Sequence, residues 1–157
     1  TKEKIILIMK DSRLGTFGVL SLILILLLKF LAIKDMPIEW IPIAILSGHV
    51  LSRVTATRML ARGKYVQNNN NAKAGSAANK LSLASTIVNF SLGFSVLFFF
   101  DNWLFTLAVI PLFITEALMF RFYNKWIGGY NGDCAGAVQQ VSELVFYLSL
   151  LVLWKFI

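Results

Sequence analysis

Five apolar runs, each about as long as the hydrocarbon core of a bilayer is thick, constrain the fold of this chain more than any other feature. A helix needs about 20 residues to cross a membrane, and only helices and closed barrels satisfy their own backbone there. The chain is 57% hydrophobic and 15% charged, whereas soluble domains average about 45–50% and about 25%. We therefore expect an all-α polytopic membrane bundle, a single integral-membrane domain over residues 1–157. Its predicted spans are Leu14–Ile33, Ile38–Leu60, Leu81–Phe100, Trp103–Phe120 and Ala135–Ile157.

The connections between these runs alternate in charge. The segment before the first run and the 61–80 loop are rich in lysine and arginine, whereas only Asp101 and Asn102 separate the third run from the fourth. Because basic loops tend to stay in the cytoplasm, we expect a multi-pass inner-membrane protein whose 61–80 loop and 128–133 turn face the cytoplasm. The net charge of +7 then favours lipid headgroups over a nucleic-acid partner. An oligomer is compatible with the sequence.

A glycine-rich turn, Gly128-Gly129-Tyr130-Asn131-Gly132-Asp133, leads into the last run. Glycines such as Gly129 and Gly132 allow close backbone approach at a helix N-terminus, which suits a substrate phosphate. A carboxylate there, Asp133, suits magnesium. The alternative is that Asp133 is an ordinary helix cap, with the small residues Gly136 and Ala137 packing against a neighbouring helix.

Polar residues continue from this turn into the membrane. Helical steps of three and four from Asp133 reach Gln140 and Glu143, about two turns deeper. Carboxylates inside a membrane are rare and usually functional. Glu143 is therefore a candidate catalytic residue, and Gln140 a candidate substrate-binding residue.

Arg53 lies within the second apolar run, too deep for an ordinary interfacial anchor. It is either a phosphate clamp or half of a structural ion pair with Glu143 or Glu116. Glu116 itself follows Pro111 by about one turn, which would fit a kinked transport helix, although a structural role is favoured because no partner is evident.

A second charged segment, Lys10-Asp11-Ser12-Arg13, precedes the first run. Asp11 or Ser12 is a possible helix cap. Alternatively, Lys10 and Arg13 bind substrate in the same cavity as Asp133, and Asp11 is a second metal ligand. The single cysteine, Cys134, and the single histidine, His49, exclude an internal disulfide framework and a zinc site built from those residues.

These stretches together resemble the cobalamin synthase family, the adenosylcobinamide-GDP ribazoletransferases. The family's acidic signature, Asp-Gly-x-Ala-Asp-x-x-Asp-Gly, is absent from these 157 residues. We therefore expect the chain to be the C-terminal portion of a longer protein and to be inactive alone. The matching stretches are Ile8–Thr16, Ser52-Arg53, Gly128–Ala137 and Ser142–Phe146.

The resemblance implies a transferase that acts at the last step of nucleotide-loop assembly in cobalamin synthesis. It would join adenosylcobinamide-GDP to alpha-ribazole, or its phosphate, release GMP and require Mg²⁺. Asp133, Arg53 and Glu143 would then be catalytic, with Asp133 and Asp11 as metal ligands. Two alternatives are a transporter fragment that uses Glu116 as part of a charge path, and a CDP-alcohol phosphotransferase, whose paired aspartate motif is not seen.

Overall fold

The computed structural model describes residues 1–9, 11, 13, 15–66 and 82–156. These ranges form an all-helical molecule, which confirms the predicted fold class. Short 3₁₀ turns at Ile38–Trp40, Val96–Phe99 and Trp103–Ala108 connect some of the helices. The α-helices of the described ranges are α1 (Lys2–Met9), α2 (Thr16–Lys34), α3 (Ile41–Arg62), α4 (Leu83–Ser95), α5 (Val109–Ile127) and α6 (Gly132–Phe156).

Three helical segments are long and apolar enough to cross a membrane: Thr16–Lys34, Trp103–Ile127 and Gly132–Phe156. Leu83–Phe99 is apolar but shorter, and α3 carries too many basic and hydroxyl side chains to qualify by composition. The predicted number of five spans is therefore not confirmed over the described residues. The α5 segment also ends later than predicted, at Ile127 instead of Phe120.

The most polar of the long helices, α3, packs against α4, α5 and α6. Its Ser52 and Thr55 hydroxyls are buried and donate hydrogen bonds to carbonyl oxygens one turn back, at 3.0 Å and 2.6 Å. Gly48 lies directly under the ring of Tyr147 of α6, where a Cβ would collide with it. Because other helices pack closely around α3, this helix does not need the apolar surface of a lipid-facing span.

Pro111 stands near the N-terminal end of α5. It lies in the first turn of α5, which begins at Val109 after the 3₁₀ turn. A proline there removes an N–H that has no intrahelical partner in any case. This position agrees with the structural role that the sequence analysis favoured for Glu116 over a kinked transport helix.

Two clusters of buried side chains divide the bundle along its length. One surrounds Phe105, Phe146 and Tyr147, next to an aromatic group in which Trp40 lies 4.3 Å from Phe105 and 4.8 Å from Trp154 between ring centroids. The other joins α1 to the end of α3, the end of α5 and the start of α6. It consists of Ile6, Met59, Ile127, Tyr130, Cys134 and Val138.

We call the region around this second cluster the basic end, because lysines and arginines of α1, α3 and α5 lie there. The glycine turn is joined to the residues after α3 at this end. Tyr130 N–H donates to the Lys64 carbonyl at 2.9 Å, and Val66 N–H donates to the Tyr130 carbonyl at 2.8 Å. A Cβ on Gly129 would collide with the Lys64 carbonyl, so only glycine allows this approach. The start of the 61–80 loop and the glycine turn therefore share one end, as predicted; residues 67–81 lie outside the described residues.

Candidate functional site

The start of α6 presents Asp133 without using it as a cap. Gly128 ends α5 in the left-handed conformation (φ 74°), and its N–H donates to the Asn124 carbonyl at 3.0 Å. The side chain that caps α6 is Asn131, whose Oδ1 accepts a hydrogen bond from Cys134 N–H at 2.9 Å. Asp133 is exposed and has no ion pair or side-chain hydrogen bond within the described ranges. The alternative that Asp133 is an ordinary cap is therefore wrong.

The end of α1 reaches the same turn. Asn131 Nδ2 lies 3.9 Å from Met9 Sδ, so Asp11, two residues further on, lies near the start of α6. Arg13 Nη2 donates to Asp11 Oδ2 at 2.8 Å. The side-chain hydrogen bonds from Arg13, and then its backbone N–H, hold the pKa of Asp11 below its usual value. Asp11 therefore stays ionised at neutral pH. Lys10 lies outside the described residues.

The glycines predicted to bind substrate occupy different positions in this turn. Gly129 is buried against the Lys64 carbonyl, so its backbone serves the junction with the residues after α3. Gly132, the first residue of α6, is exposed and has open space where a Cβ would be. Gly132 is therefore the glycine that leaves the helix N-terminus open to a ligand.

Arg53 lines an open groove of about 470 Å³ between α3, α4 and α6. It is exposed and forms no ion pair with another described residue. The predicted alternative, a pair with Glu143 or Glu116, is wrong because both carboxylates have other cationic partners. The groove is lined by Arg53, Ala56, Thr57, Leu60, Asn89, Ala135, Gly136 and Gln139. We call it the Arg53 groove.

Glu143 belongs to a buried polar cluster between α2 and α6. Lys29 Nζ lies 2.9 Å from Glu143 Oε2, and Tyr147 Oη donates to Glu143 Oε1 at 2.7 Å. Lys29 also donates to Gln140 Oε1 at 2.7 Å. The structure therefore places Glu143 and Gln140 on the α2 side of α6, with Lys29, and not in the lining of the Arg53 groove.

Glu116 is fully buried between two arginines of α3. Arg62 Nη2 donates to Glu116 Oε1, and Arg58 Nη1 lies 3.1 Å from Oε2. The two guanidinium groups also lie over aromatic rings of α5, each 5.1 Å from the ring centroid of Phe113 or Phe120. Glu116 is thus structural, as favoured, and its partners are residues that the sequence analysis did not assign to it.

Sequence reasoning missed these partners for a physical reason. Arg58 and Arg62 stand four residues apart, so they share one face of a helix, and that spacing predicts a common acidic partner. Nothing in the sequence shows which carboxylate faces them. The partners of Lys29 are hidden in the same way, since an apolar helix gives no sign of a partner on another helix.

No group of three or more His, Cys, Asp or Glu side chains suited to a metal ion occurs within the described ranges. A metal here would thus rely on one or two carboxylates, water and substrate oxygens. That is the usual arrangement for magnesium with a phosphorylated substrate. The exposed Asp133 and the nearby ionised Asp11 fit it.

The fold and this site define a polytopic helical membrane protein with carboxylates and an arginine-lined groove toward its basic end. Comparison with known proteins identifies the family. The chain belongs to the cobalamin-5-phosphate synthase family, which it matches over residues 1–151.

The curated relatives are adenosylcobinamide-GDP ribazoletransferases. The chain is 37% identical to the one from Shewanella frigidimarina, covering 96% of this chain and 59% of the relative. It is 35% identical to the one from Vibrio parahaemolyticus, covering 99% and 59%. The chain therefore spans about three fifths of the length of these relatives. No solved structure matches it significantly.

Proposed function

We propose that the complete protein joins adenosylcobinamide-GDP to alpha-ribazole, or to its phosphate, and releases GMP. Membership of the family supports this activity, since relatives of about 35% identity carry the name of that transferase. The observation in the molecule that supports it most is Asp133. Asn131 performs the capping that would otherwise explain this residue, so its carboxylate is available to a ligand.

The proposed reaction exchanges a phosphoanhydride bond of the pyrophosphate for a phosphodiester bond. A ribose hydroxyl of the acceptor attacks the phosphorus attached to cobinamide, and a new oxygen–phosphorus bond forms. The bond from that phosphorus to the bridging oxygen breaks, and GMP leaves with the bridging oxygen and the electron pair. The hydroxyl proton is released. Such transfers depend mainly on positioning and on neutralising the charge of the pyrophosphate.

Asp133 and Asp11 are the residues proposed to hold Mg²⁺. When bound by these carboxylates and the substrate phosphates, the ion would neutralise charge that builds up on the phosphate oxygens. Arg13 holds the Asp11 carboxylate through hydrogen bonds at 2.8 and 3.1 Å. Arg13 adds positive charge beside Asp11, and Lys10 is proposed to bind substrate as well.

The remaining candidate residues take different roles. Arg53 is proposed to bind a substrate phosphate, because its guanidinium forms no ion pair with the other described residues and can donate two parallel hydrogen bonds to a phosphate. Gly132 leaves the start of α6 open to a phosphate group. Glu143 and Gln140, which contact Lys29, are proposed to hold α6 in place instead of contacting the substrate.

The proposed location is the inner membrane, with the basic end in the cytoplasm. Lysines and arginines of α1, α3 and α5 gather at that end, as cytoplasmic segments require. A transport function is not favoured, because both buried carboxylates, Glu116 and Glu143, are already paired with cations of neighbouring helices.

Asp133→Asn in the complete protein tests the proposal. The substitution removes the charge but leaves the Asn131 cap intact, so folding should be unchanged. We expect the rate of GMP release to fall about 10²–10³-fold, the usual effect of losing one electrostatic contact in a transition state. Asp101→Asn, an exposed aspartate at the opposite end, is the matched control and should retain full activity. Near-normal, magnesium-dependent turnover by Asp133→Asn would contradict the assigned role, and no GMP release by the wild-type protein would contradict the activity.

A further inference from the structure

The Arg53 groove contains a buried polar atom that is not paired with any other described residue. Asn89 Oδ1, on α4, is buried and has no hydrogen-bond partner among the described residues. A buried acceptor without a donor is unfavourable, because it has lost its hydrogen bonds to water. Asn89 lines the groove together with Arg53, Thr57 and Gln139, so a ligand in the groove would meet several groups able to form hydrogen bonds.

The groove begins near the start of α6, at Ala135, and runs toward the middle of the bundle. Gly136, one helical turn from Asp133, is part of its lining, and so is Gln139, one turn deeper. On α3 the lining extends from Leu60, near the basic end, to Arg53. Seven residues of helix correspond to about 10 Å. A ligand of that length would place one end near Asp133 and the other near Arg53.

The size and lining of the groove select between the two substrates of the proposed reaction. Its volume of about 470 Å³ falls within the range of about 300–1,000 Å³ that is typical of small-molecule sites. A nucleoside fits that volume, whereas a corrin ring with its nucleotide does not. The mixture of apolar side chains (Ala56, Leu60, Ala135) with hydroxyl, amide and guanidinium groups also matches a flat aromatic base attached to a sugar.

We infer that the Arg53 groove binds the acceptor nucleoside, with Asn89 and Gln139 as specificity-determining residues that contact its ribose; this inference rests on the proposed function. Asn89 Oδ1 accepts a hydrogen bond from a ribose hydroxyl that does not react. The reacting hydroxyl lies toward Asp133, and Arg53 donates to a phosphate on the acceptor when one is present. A site that hydrogen-bonds a substrate hydroxyl discriminates against an analogue that lacks it, because the buried partner is then left unpaired.

The test measures the KM of each substrate separately, in the complete protein reconstituted in lipid. Asn89→Leu and Gln139→Leu should each raise the KM for the acceptor about tenfold and leave the KM for adenosylcobinamide-GDP within about twofold. Ser91→Ala, an exposed change two residues along α4, is the matched control.

A deoxy acceptor that lacks the non-reacting hydroxyl gives a second readout, which a merely structural role would not affect. The wild type should prefer the ribose form about tenfold, and Asn89→Leu should lose this preference. A rise in the KM of adenosylcobinamide-GDP instead, or an equal rise for both substrates, would overturn the inference. So would an unchanged acceptor KM in both leucine variants.

Direct binding separates failure of this inference from failure of the proposed function. Equilibrium dialysis with alpha-ribazole and its phosphate needs no turnover. If nucleoside binding depends on Asn89 but the protein releases no GMP, the result would support the groove as a nucleoside site and contradict the transferase activity. If the protein is active but its affinity for the nucleoside does not change in the Asn89 and Gln139 variants, the result would support the transferase activity. It would contradict the assignment of the groove as the acceptor site.

Discussion

Two carboxylates are buried inside this bundle, and each is compensated by the side chains that contact it. Glu116 is held by Arg58 and Arg62, and Glu143 by Lys29 and the hydroxyl of Tyr147. In each case the cationic partner lies on another helix. Such pairs add little net stability compared with apolar side chains, but losing one partner leaves the other uncompensated. The pairs therefore favour one arrangement of the helices.

Glu116→Gln should destabilise the protein. The two guanidinium groups would keep only a neutral neighbour, but each is about one third exposed or more, at 33% and 40%. That exposure limits the cost to about 2 kcal/mol. Thermal unfolding in detergent should show a transition several degrees lower. Glu39→Gln, an exposed carboxylate on the 3₁₀ turn before α3, is the control; equal transitions for both variants would contradict the structural role of Glu116.

Comparing Asn131→Ala with Asp133→Asn distinguishes the residue that caps α6 from the residue proposed to bind a ligand. Loss of the cap to Cys134 N–H should lower the free energy of unfolding by about 1 kcal/mol. Asp133→Asn, two residues away, should leave it unchanged. Chemical denaturation of the two variants measures both values. A larger loss of stability from Asp133→Asn than from Asn131→Ala would reverse the assignment of the cap.

The sequence alone predicts the roles of some of these residues but not of others. Asp133 was singled out because a carboxylate after a glycine turn is visible in the sequence. Its availability could not be predicted, since that depends on Asn131 accepting the hydrogen bond. Arg53 was predicted to face either a phosphate or an ion-pair partner, and the choice depended on which helix faced it. Asn89 gave no signal, because an isolated asparagine in an apolar helix has no pattern.

Among the helices, α2 shows how an element with little buried surface is positioned. It packs mainly against α6, and most of its large apolar side chains are exposed, as on a lipid-facing helix. Its strongest specific link is Lys29, whose Nζ contacts both Gln140 and Glu143. Because α6 also carries Asp133, this link connects the placement of α2 to the site.

Lys29→Met should therefore cost more than a surface substitution. Glu143 would remain buried without its cation, at a cost of about 3 kcal/mol. Lys29→Met combined with Glu143→Gln should recover much of the loss, because glutamine still accepts from Tyr147 and carries no charge. Unfolding of the single and double variants in detergent measures this difference. A double variant that is no more stable than Lys29→Met would show that the buried charge is not the cause.

The sequence predicts the bounds of a helix best where the run is uniformly apolar. The apolar run in α2 gave a span close to the observed Thr16–Lys34. The helix α3 was predicted as a span of its own, although its polar residues are accommodated by packing against three other helices. Within the third run, α4 ends at Ser95 and a 3₁₀ turn follows it. Hydrophobicity alone does not predict this change of helix type.

At the scale of the whole molecule, the two ends differ in charge and in aromatic content. The basic end carries lysines and arginines of α1, α3 and α5, together with the glycine turn and Asp133. The opposite end carries Trp40, which contacts both Phe105 and Trp154, and the acidic residues Glu39 and Asp101. Aromatic side chains concentrate at membrane interfaces, and basic residues mark the cytoplasmic side. This asymmetry predicts a single orientation.

Thiol labelling in sealed cells tests that orientation. The native Cys134 is 1% exposed, so Cys134→Ala provides a background for introduced cysteines. Lys64→Cys and Lys125→Cys, at the basic end, should react with a membrane-impermeant reagent only after the cells are opened. Glu39→Cys and Asp101→Cys should react in intact cells. Because hydrogen bonds join Tyr130 to Lys64 and Val66, positions 64 and 125 must label from the same side. Labelling of these two from opposite sides would contradict the fold, whereas labelling of both in intact cells would contradict only the proposed cytoplasmic site.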